Sequence, residues 1–186
     1  MSILDSQQQK PQILAVQQVA RTRLFRVEQV DLRFSNGECR QYERLASSGR
    51  AAVMVLPIDG DDLLMIREYS VGTEKYELGF VKGLMEIGEN QAESANRELQ
   101  EEIGFGAREF AHLRSIYTSP GYSQNLMHIL IAQNLYPNQL QGDEPEPLEL
   151  VRIPLSQLDD LLNAPEFGEA RNLTALYALR DYLQRS

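Results

Sequence analysis

Residues 83–105 read GLMEIGENQAESANRELQEEIGF, a stretch that is rich in glutamate. Good helix formers dominate residues 91–103, and apolar residues recur there every four positions, which predicts an amphipathic helix. These apolar positions are Ala95, Leu99 and Ile103. Gly104 follows at a position where glycine commonly ends a helix. The stretch therefore predicts a loop at Gly83 that leads into a helix.

The predicted helix carries three glutamates on or beside one face. Glu98 and Glu102 are four residues apart, one turn above the other, and Glu101 flanks them. Like charges at this spacing repel by roughly 0.2–0.5 kcal/mol, and acidic groups in a last turn oppose the helix dipole by about 0.3–1 kcal/mol each. A bound divalent cation reverses both effects, and carboxylate ligands suit Mg²⁺ or Mn²⁺. The alternative is a solvated acidic helix face.

With its flanking positions the stretch has the pattern G-x5-E-x7-R-E-L-x-E-E-x-G-F, which resembles the Nudix box. Nudix hydrolases cleave a nucleoside diphosphate linked to another moiety. Every signature position matches, with aromatic Phe105 where the family more often has an aliphatic residue. Further segments resemble the branch that acts on ADP-ribose, NADH and diadenosine polyphosphates. These segments are 67–69, 76–80, 95–98 and 142–147.

The resemblance implies a Mg²⁺ or Mn²⁺ site on the helix. Glu98 and Glu102 are the implied principal ligands, with Glu101 in the same cluster. The backbone carbonyl of Lys82 matches the position that completes the coordination in relatives, and the Lys82 side chain either meets a phosphate or is solvated.

Two further box residues are expected beside the metal. Arg97 is expected to pair with one of the glutamates rather than to touch substrate, although it belongs to the implied catalytic set. Glu89 is expected to lie near the site or to brace the loop, and Gly83 to lie against the substrate.

Residues 142–147, GDEPEP, combine acids with prolines, which exclude a helix and favour a stiff, exposed loop. Taken alone, this segment is a solvated loop. The ADP-ribose branch has an E-x-E loop at the matching place, which implies Glu144 as general base and Glu146 as an additional metal ligand. Glu102 and Glu101 are competing candidates for the base.

Other expected substrate contacts lie outside the box. Ser119 and Pro120 belong to a turn that resembles one in the ADP-ribose branch, and Tyr122 either stacks on adenine or packs the turn. Three arginines are candidates for phosphate or base contacts, with a surface or ion-pair role as the alternative. They are Arg44, Arg50 and Arg67. Gly79 stands where ADP-ribose relatives usually carry a glutamate.

The composition limits the class of protein. The chain has 186 residues and a net charge of −9, which argues against nucleic acid and anionic membranes as partners. The single Cys39 excludes an internal disulfide and fits a reducing compartment. Residues 1–10 lack a signal-peptide pattern, and no stretch reaches 18 apolar residues, so we expect a cytoplasmic protein without a membrane span.

Residues 23–45 predict a β-hairpin, because two partly alternating runs flank the turn signal Asn36–Gly37. Residues 1–46 are too few to fold alone. Relatives in the ADP-sugar branch exchange this segment between subunits, so the resemblance implies a homodimer with the hairpin in the interface. The alternative is a hairpin packed on its own domain.

Residues 47–186 are expected to form the Nudix domain. Strands are predicted at 51–58, 63–68, 76–80, 109–118, 126–134 and 149–153, and further helices at 156–162, capped by Ser156, and 173–183. Strands interleaved with helices predict an α/β fold with a mixed sheet between helices. The family implies the same α/β/α sandwich.

Two other functions remain open. One is a hydrolase of nucleotide sugars such as GDP-mannose, and the other is a catalytically silent domain that binds ADP-ribose.

Overall fold

The computed structural model describes residues 8–185. Residues 1–7, part of the terminus in which no signal peptide is expected, lie outside the described part. The chain divides into two compact units. The N-terminal unit contains the described residues up to Gly49 together with Ser119–Asn125. The main unit contains Arg50–Thr118 and the residues from Leu126 onward.

The N-terminal unit is built on an antiparallel sheet of three strands in the order β1-β2-β3. The strands are β1 (Gln12–Arg21), β2 (Arg26–Arg33) and β3 (Cys39–Leu45). β2 and β3 are the predicted hairpin, and Gly37 at their turn has a φ of +88°, which favours glycine. The sequence did not predict β1, because its glutamines and apolar residues do not alternate regularly.

The main unit contains the predicted mixed sheet, which has seven strands rather than the six that the sequence indicated. Its elements are β4 (Ala52–Asp59), β5 (Asp62–Ser70), β6 (Lys75–Gly79), β7 (Val81–Leu84), α1 (Gln91–Glu102), β8 (Phe105–Tyr117), β9 (Leu126–Pro137), β10 (Glu149–Pro154), α2 (Leu158–Asn163) and α3 (Ala170–Leu183). The strand order is β10-β5-β4-β9-β8, with β6 paired to β5 and β7 paired to β4. β4 and β9 are parallel, and the other pairs are antiparallel.

Helices cover both faces of this sheet, which confirms the predicted α/β/α sandwich. Successive residues of β4 point to opposite faces. Val53 and Val55 belong to the core cluster that contains α1 residues, whereas Met54 and Leu56 belong to the cluster that contains residues of α2 and α3. A strand buried on both faces explains the nearly continuous apolar run seen in the sequence.

Helix α1 begins and ends close to its predicted limits. Asn90 caps its first turn by accepting the backbone N–H groups of Ala92 and Glu93, and the Glu93 side chain completes a capping box. Leu99 is fully buried, and burial of one such side chain contributes roughly 1.5–3 kcal/mol. Gly104 has a φ of +74°, as expected of a glycine that ends a helix.

Two local predictions were wrong. Gly83 lies on strand β7 and pairs with Val53, so it is not in a loop; the four-residue strand was too short to recognise. Ser156 does not cap a helix, because it lies in a 3₁₀ turn at Leu155–Gln157 and α2 begins only at Leu158. Among residues 8–185 no helix is long and apolar enough to cross a membrane.

Candidate active site

The C-terminal half of α1 and strand β7 border a cavity of about 650 Å³, here named the acidic cavity. It brings together most of the residues predicted for the metal site and three of the predicted basic residues. The predicted residues that line it are Arg50, Lys82, Gly83, Arg97, Glu98, Glu101, Glu102 and Glu144. Glu68, Glu86 and Asp143 add further carboxylates, so the lining carries more acidic than basic side chains.

The absence of a side chain at Gly83 allows α1 to approach β7. A Cβ atom at this position would collide with the carboxylate of Glu98. Glu98 is 8% exposed, and burial raises the pKa of its carboxyl group, whereas its hydrogen bond to Arg97 acts in the opposite direction. The glycine therefore makes room for a buried carboxylate against the backbone of the strand.

Glu102 lies one turn further along α1 and is incompletely satisfied. Its Oε1 accepts the backbone N–H of Lys82 at 3.3 Å, while its Oε2 is buried without a hydrogen-bond partner. Burial raises the pKa of Glu102 to about 8, against the attraction of Lys82, and the nearby carboxylates of Glu98 and Glu144 raise it further. A buried carboxylate oxygen without a donor is costly unless a cation meets it. Glu102 therefore fits the donor set of a divalent cation.

Arg97 ties the box residues together. Its Nε and Nη2 atoms donate to the two carboxylate oxygens of Glu89 at 2.8 and 3.1 Å. Its Nη1 atom donates to Glu98 at 2.7 Å and to Glu101 at 2.9 Å, and Nη2 also reaches the carbonyl of Leu84 at 3.1 Å. Because Arg97 already donates to Glu98 and Glu101, a cation must compete with it for these two carboxylates. Within the described residues no three acidic, histidine or cysteine side chains form a ready-made metal site.

Glu89 braces the loop between β7 and α1. Its paired Arg97 lowers the pKa of Glu89 to about 2, and its Oε2 also accepts the backbone N–H of Glu86 at 2.9 Å. The bidentate pair is partly buried, with 20% and 19% side-chain exposure, which favours a defined geometry over a screened surface contact. The Arg97–Glu89 pair therefore fixes the loop against the helix.

The two glutamates of the predicted E-x-E loop differ in one respect. Glu144 lines the acidic cavity, and its charge raises the pKa of both Glu98 and Glu102. Both glutamates line a neighbouring cavity of about 500 Å³, which Glu101 and Glu102 also border, and the Glu146 carboxylate accepts a hydrogen bond from the hydroxyl of Tyr76 at 2.6 Å. The structure thus brings Glu144, and not Glu146, to the acidic cavity.

Sequence reasoning missed two partners at this site. Glu68 accepts a hydrogen bond from Lys82 Nζ at 2.5 Å, and Tyr76 donates to Glu146. Each pair joins residues that are far apart in the sequence, so no local spacing could indicate it. Lys82 therefore carries its charge into the acidic cavity already paired with a carboxylate.

Of the other predicted substrate contacts, Arg67 belongs to the main unit and four residues belong to the N-terminal unit. Arg67 is 3.6 Å from Glu149 across the β5–β10 pair and is not among the residues that line the acidic cavity. In the N-terminal unit, Arg44 pairs with Glu28 at 2.9 Å. The turn segment also belongs to that unit, and its Tyr122 carbonyl accepts the backbone N–H of Leu45 at 2.8 Å. This turn contains the predicted residues Ser119, Pro120 and Tyr122.

The glycine at position 79, where ADP-ribose relatives usually carry a glutamate, has a structural reason. A Cβ atom at Gly79 would lie 2.9 Å from Nδ2 of Asn172, a buried residue of α3. The same Nδ2 atom donates to the carbonyl of Leu78 at 3.3 Å. A glutamate at position 79 would displace this contact between helix and sheet.

Comparisons with known proteins give the family of this chain. Residues 11–44 match the family model of the NudE-type Nudix hydrolase N-terminal domain, and residues 49–177 match that of the NUDIX domain. The chain is 56% identical over 176 residues to the ADP compounds hydrolase NudE of Escherichia coli (strain K12), covering 95% of each chain. It is 28% identical over 156 residues to the ADP-ribose pyrophosphatase of Bacillus subtilis (strain 168), covering 83% of this chain and 82% of that protein.

One solved structure, described as a crystal structure of ADP compounds hydrolase, superposes with a TM-score of 0.94 at 54% identity. The match covers 97% of this chain and 98% of that one. The family-model match extends over more than half of the sequence and includes every residue of the acidic cavity. This chain belongs to the Nudix hydrolase family.

Proposed function

We propose that this protein hydrolyses the diphosphate bond of ADP-linked small molecules and releases AMP. ADP-ribose would give AMP and ribose 5-phosphate, NADH would give AMP and reduced nicotinamide mononucleotide, and diadenosine polyphosphates belong to the same substrate class. The observation that carries the proposal is the buried, unpartnered Oε2 of Glu102 beside Glu98 in the acidic cavity. The substrate class is supported by the 56% identity to the ADP compounds hydrolase of Escherichia coli.

Nudix hydrolases generally depend on a divalent cation, and we propose Mg²⁺ or Mn²⁺ for this chain. Glu98 and Glu102 would hold it, with Glu101 and the backbone carbonyl of Lys82 as further ligands. When bound, the cation supplies positive charge and Lewis acidity to the phosphate oxygens. Glu146 as an additional ligand stays a prediction.

The chain's own residues perform the remaining tasks. Arg50 and Lys82 border the acidic cavity, where Lys82 is already paired with Glu68, so a bound cation would offset most of the charge of an entering diphosphate. Glu144 lies on the same cavity and is placed to take a proton from the attacking water. Glu102 and Glu101, which line the same cavity, are the competing candidates for the base. Arg97 and Glu89 hold the loop that keeps Gly83 against Glu98.

We also propose that the protein is a cytoplasmic homodimer in which the N-terminal segment, residues 1–46, lies in the interface and residues 47–186 form the Nudix domain. The N-terminal unit leaves large apolar side chains exposed, including Leu24 at 77%, Ile13 at 56% and Phe25 at 51%. A second subunit would cover part of this surface. Sedimentation equilibrium of the full chain tests the dimer, and a monomer at micromolar concentration would contradict it.

The activity is tested by phosphate release, coupled to an added phosphatase, from ADP-ribose, NADH, diadenosine triphosphate and GDP-mannose with Mg²⁺ or Mn²⁺. We expect turnover of the three ADP compounds and its loss in Glu98→Gln, while Glu166→Gln, at an exposed position remote from the cavity lining, retains it. Preference for GDP-mannose would support a nucleotide-sugar hydrolase. Calorimetric binding of ADP-ribose without turnover would support a silent binding domain.

A further inference from the structure

The loop that joins β9 to β10 contains two glutamates with different environments. Glu144 lines the acidic cavity, whereas the Glu146 carboxylate accepts the hydroxyl proton of Tyr76 at an O···O distance of 2.6 Å. Only Pro145 separates the two glutamates, and proline fixes its own φ near −65°. The backbone between the two glutamates therefore has one fixed dihedral angle, which limits how far Glu144 and Glu146 can move independently.

Tyr76 is itself held in place by the sheet. It lies on β6 opposite Tyr69 of β5, and the two rings meet edge to face with centroids 5.5 Å apart. The other edge of β5 pairs with β10, where Arg67 lies opposite Glu149. Glu149 is three positions after Glu146, so β10 holds the C-terminal end of the loop. The Tyr76 hydroxyl contacts the same loop from β6, on the opposite edge of β5.

The Tyr76–Glu146 contact is a short hydrogen bond at an exposed position. A hydroxyl that donates to a carboxylate over so short a distance forms a charge-assisted hydrogen bond. This hydrogen bond and the charge of Glu146 raise the pKa of Tyr76, as expected of a hydroxyl that donates to a carboxylate. The two residues are 70 positions apart in the sequence, so the contact ties the loop to a distant part of the main unit.

We propose that Tyr76 is a positioning residue, whose hydroxyl holds Glu146 and thereby keeps Glu144 directed into the acidic cavity. This inference rests on the proposed hydrolysis and on the role of Glu144 as its base. It gives Glu146 the role of an anchor for the loop rather than that of a metal ligand. Tyr76 then affects turnover without touching the substrate.

The matched variants are Tyr76→Phe, which removes the anchoring hydroxyl but keeps the ring, and Tyr69→Phe, which removes a hydroxyl from the other ring of the same pair. We expect Tyr76→Phe to lower kcat for ADP-ribose by about fivefold to tenfold, as for loss of one hydrogen bond, with KM changed by less than about twofold. The ¹⁵N order parameters of the backbone amides at residues 141–144 and 146 should fall in the metal-free protein. Tyr69→Phe should leave kcat and KM within about twofold of the wild type and the order parameters of this loop unchanged.

Variants of Glu146 separate the anchor from a metal ligand. Glu146→Gln keeps an acceptor for Tyr76 and should retain more activity than Glu146→Ala, and Tyr76→Phe should cause no further loss in the Glu146→Ala background. Unchanged kcat and unchanged loop order parameters in Tyr76→Phe would overturn the proposal, as would a larger loss in Glu146→Gln than in Tyr76→Phe. If the wild type cleaves no ADP compound, the proposed function fails, while the comparison of order parameters still decides whether Tyr76 anchors the loop.

Discussion

Replacement of Glu102 by glutamine should stabilise the metal-free protein while abolishing its activity. Burial raises the pKa of Glu102 from 4.5 to about 8, so the folded state binds its proton more tightly than the unfolded state does. The stabilising contribution is therefore complete below pH 4.5 and is lost as the pH rises through about 8. Glutamine stays neutral, and its Oε1 still accepts the N–H of Lys82.

The size of the effect follows from the same shift. A rise from 4.5 to about 8 corresponds to about 5 kcal/mol when the folded group is fully ionised, at about 1.36 kcal/mol per pH unit. At pH 8, where the folded carboxyl is half ionised, the advantage of Glu102→Gln should be roughly 4 kcal/mol, and at pH 5 less than about 1 kcal/mol. For a chain of this length, that difference raises Tm by about 10 °C at pH 8.

The assay is thermal unfolding in EDTA at pH 5 and pH 8, with Glu166→Gln as the control at an exposed glutamate. The control should follow the wild type at both pH values. Excess Mn²⁺ should raise the Tm of the wild type at pH 8 and have much less effect on Glu102→Gln. Equal Tm values of Glu102→Gln and wild type at pH 8 in EDTA, or a larger advantage at pH 5, would refute the reasoning.

Three further changes test the surroundings of the acidic cavity. Gly83→Ala places a Cβ atom against the Glu98 carboxylate and should lower metal-dependent turnover by more than about tenfold, while the protein still melts cooperatively. Normal turnover would show that the close approach of α1 to β7 is unnecessary. Arg97→Lys loses the bidentate pairing with Glu89 and should reduce the free energy of unfolding in urea by about 2 kcal/mol, and an unchanged midpoint would contradict the bracing role. Asn90→Ala removes the N-cap of α1 and should cost about 1 kcal/mol of stability with kcat unchanged at 25 °C, so a large loss of kcat would be unexpected.

The sequence predicted the elements whose residues act locally. Helix α1 was found from the four-residue spacing of Ala95 and Leu99, and the hairpin of β2 and β3 from the turn at Asn36–Gly37. The mixed sheet followed from the alternation of strands and helices. β1 was missed because regular alternation needs one buried face, and all ten residues of this strand are exposed.

The candidate site was predictable where its residues lie within the box and was not predictable where it depends on long-range contacts. Glu98 and Glu102 share a helical face, so their proximity followed from spacing alone. Lys82–Glu68 and Tyr76–Glu146 join different strands and a loop, and only the folded chain brings them together. The collision of a side chain at Gly79 with Asn172 is likewise visible only in three dimensions.

An anomalous difference map from crystals grown with Mn²⁺ and a non-hydrolysable analogue of ADP-ribose tests the cation site on α1 directly. We expect manganese peaks bounded by the carboxylates of Glu98 and Glu102, with the diphosphate of the analogue beside them. Manganese bound elsewhere, or a fully occupied analogue without a peak at these two carboxylates, would contradict this expectation.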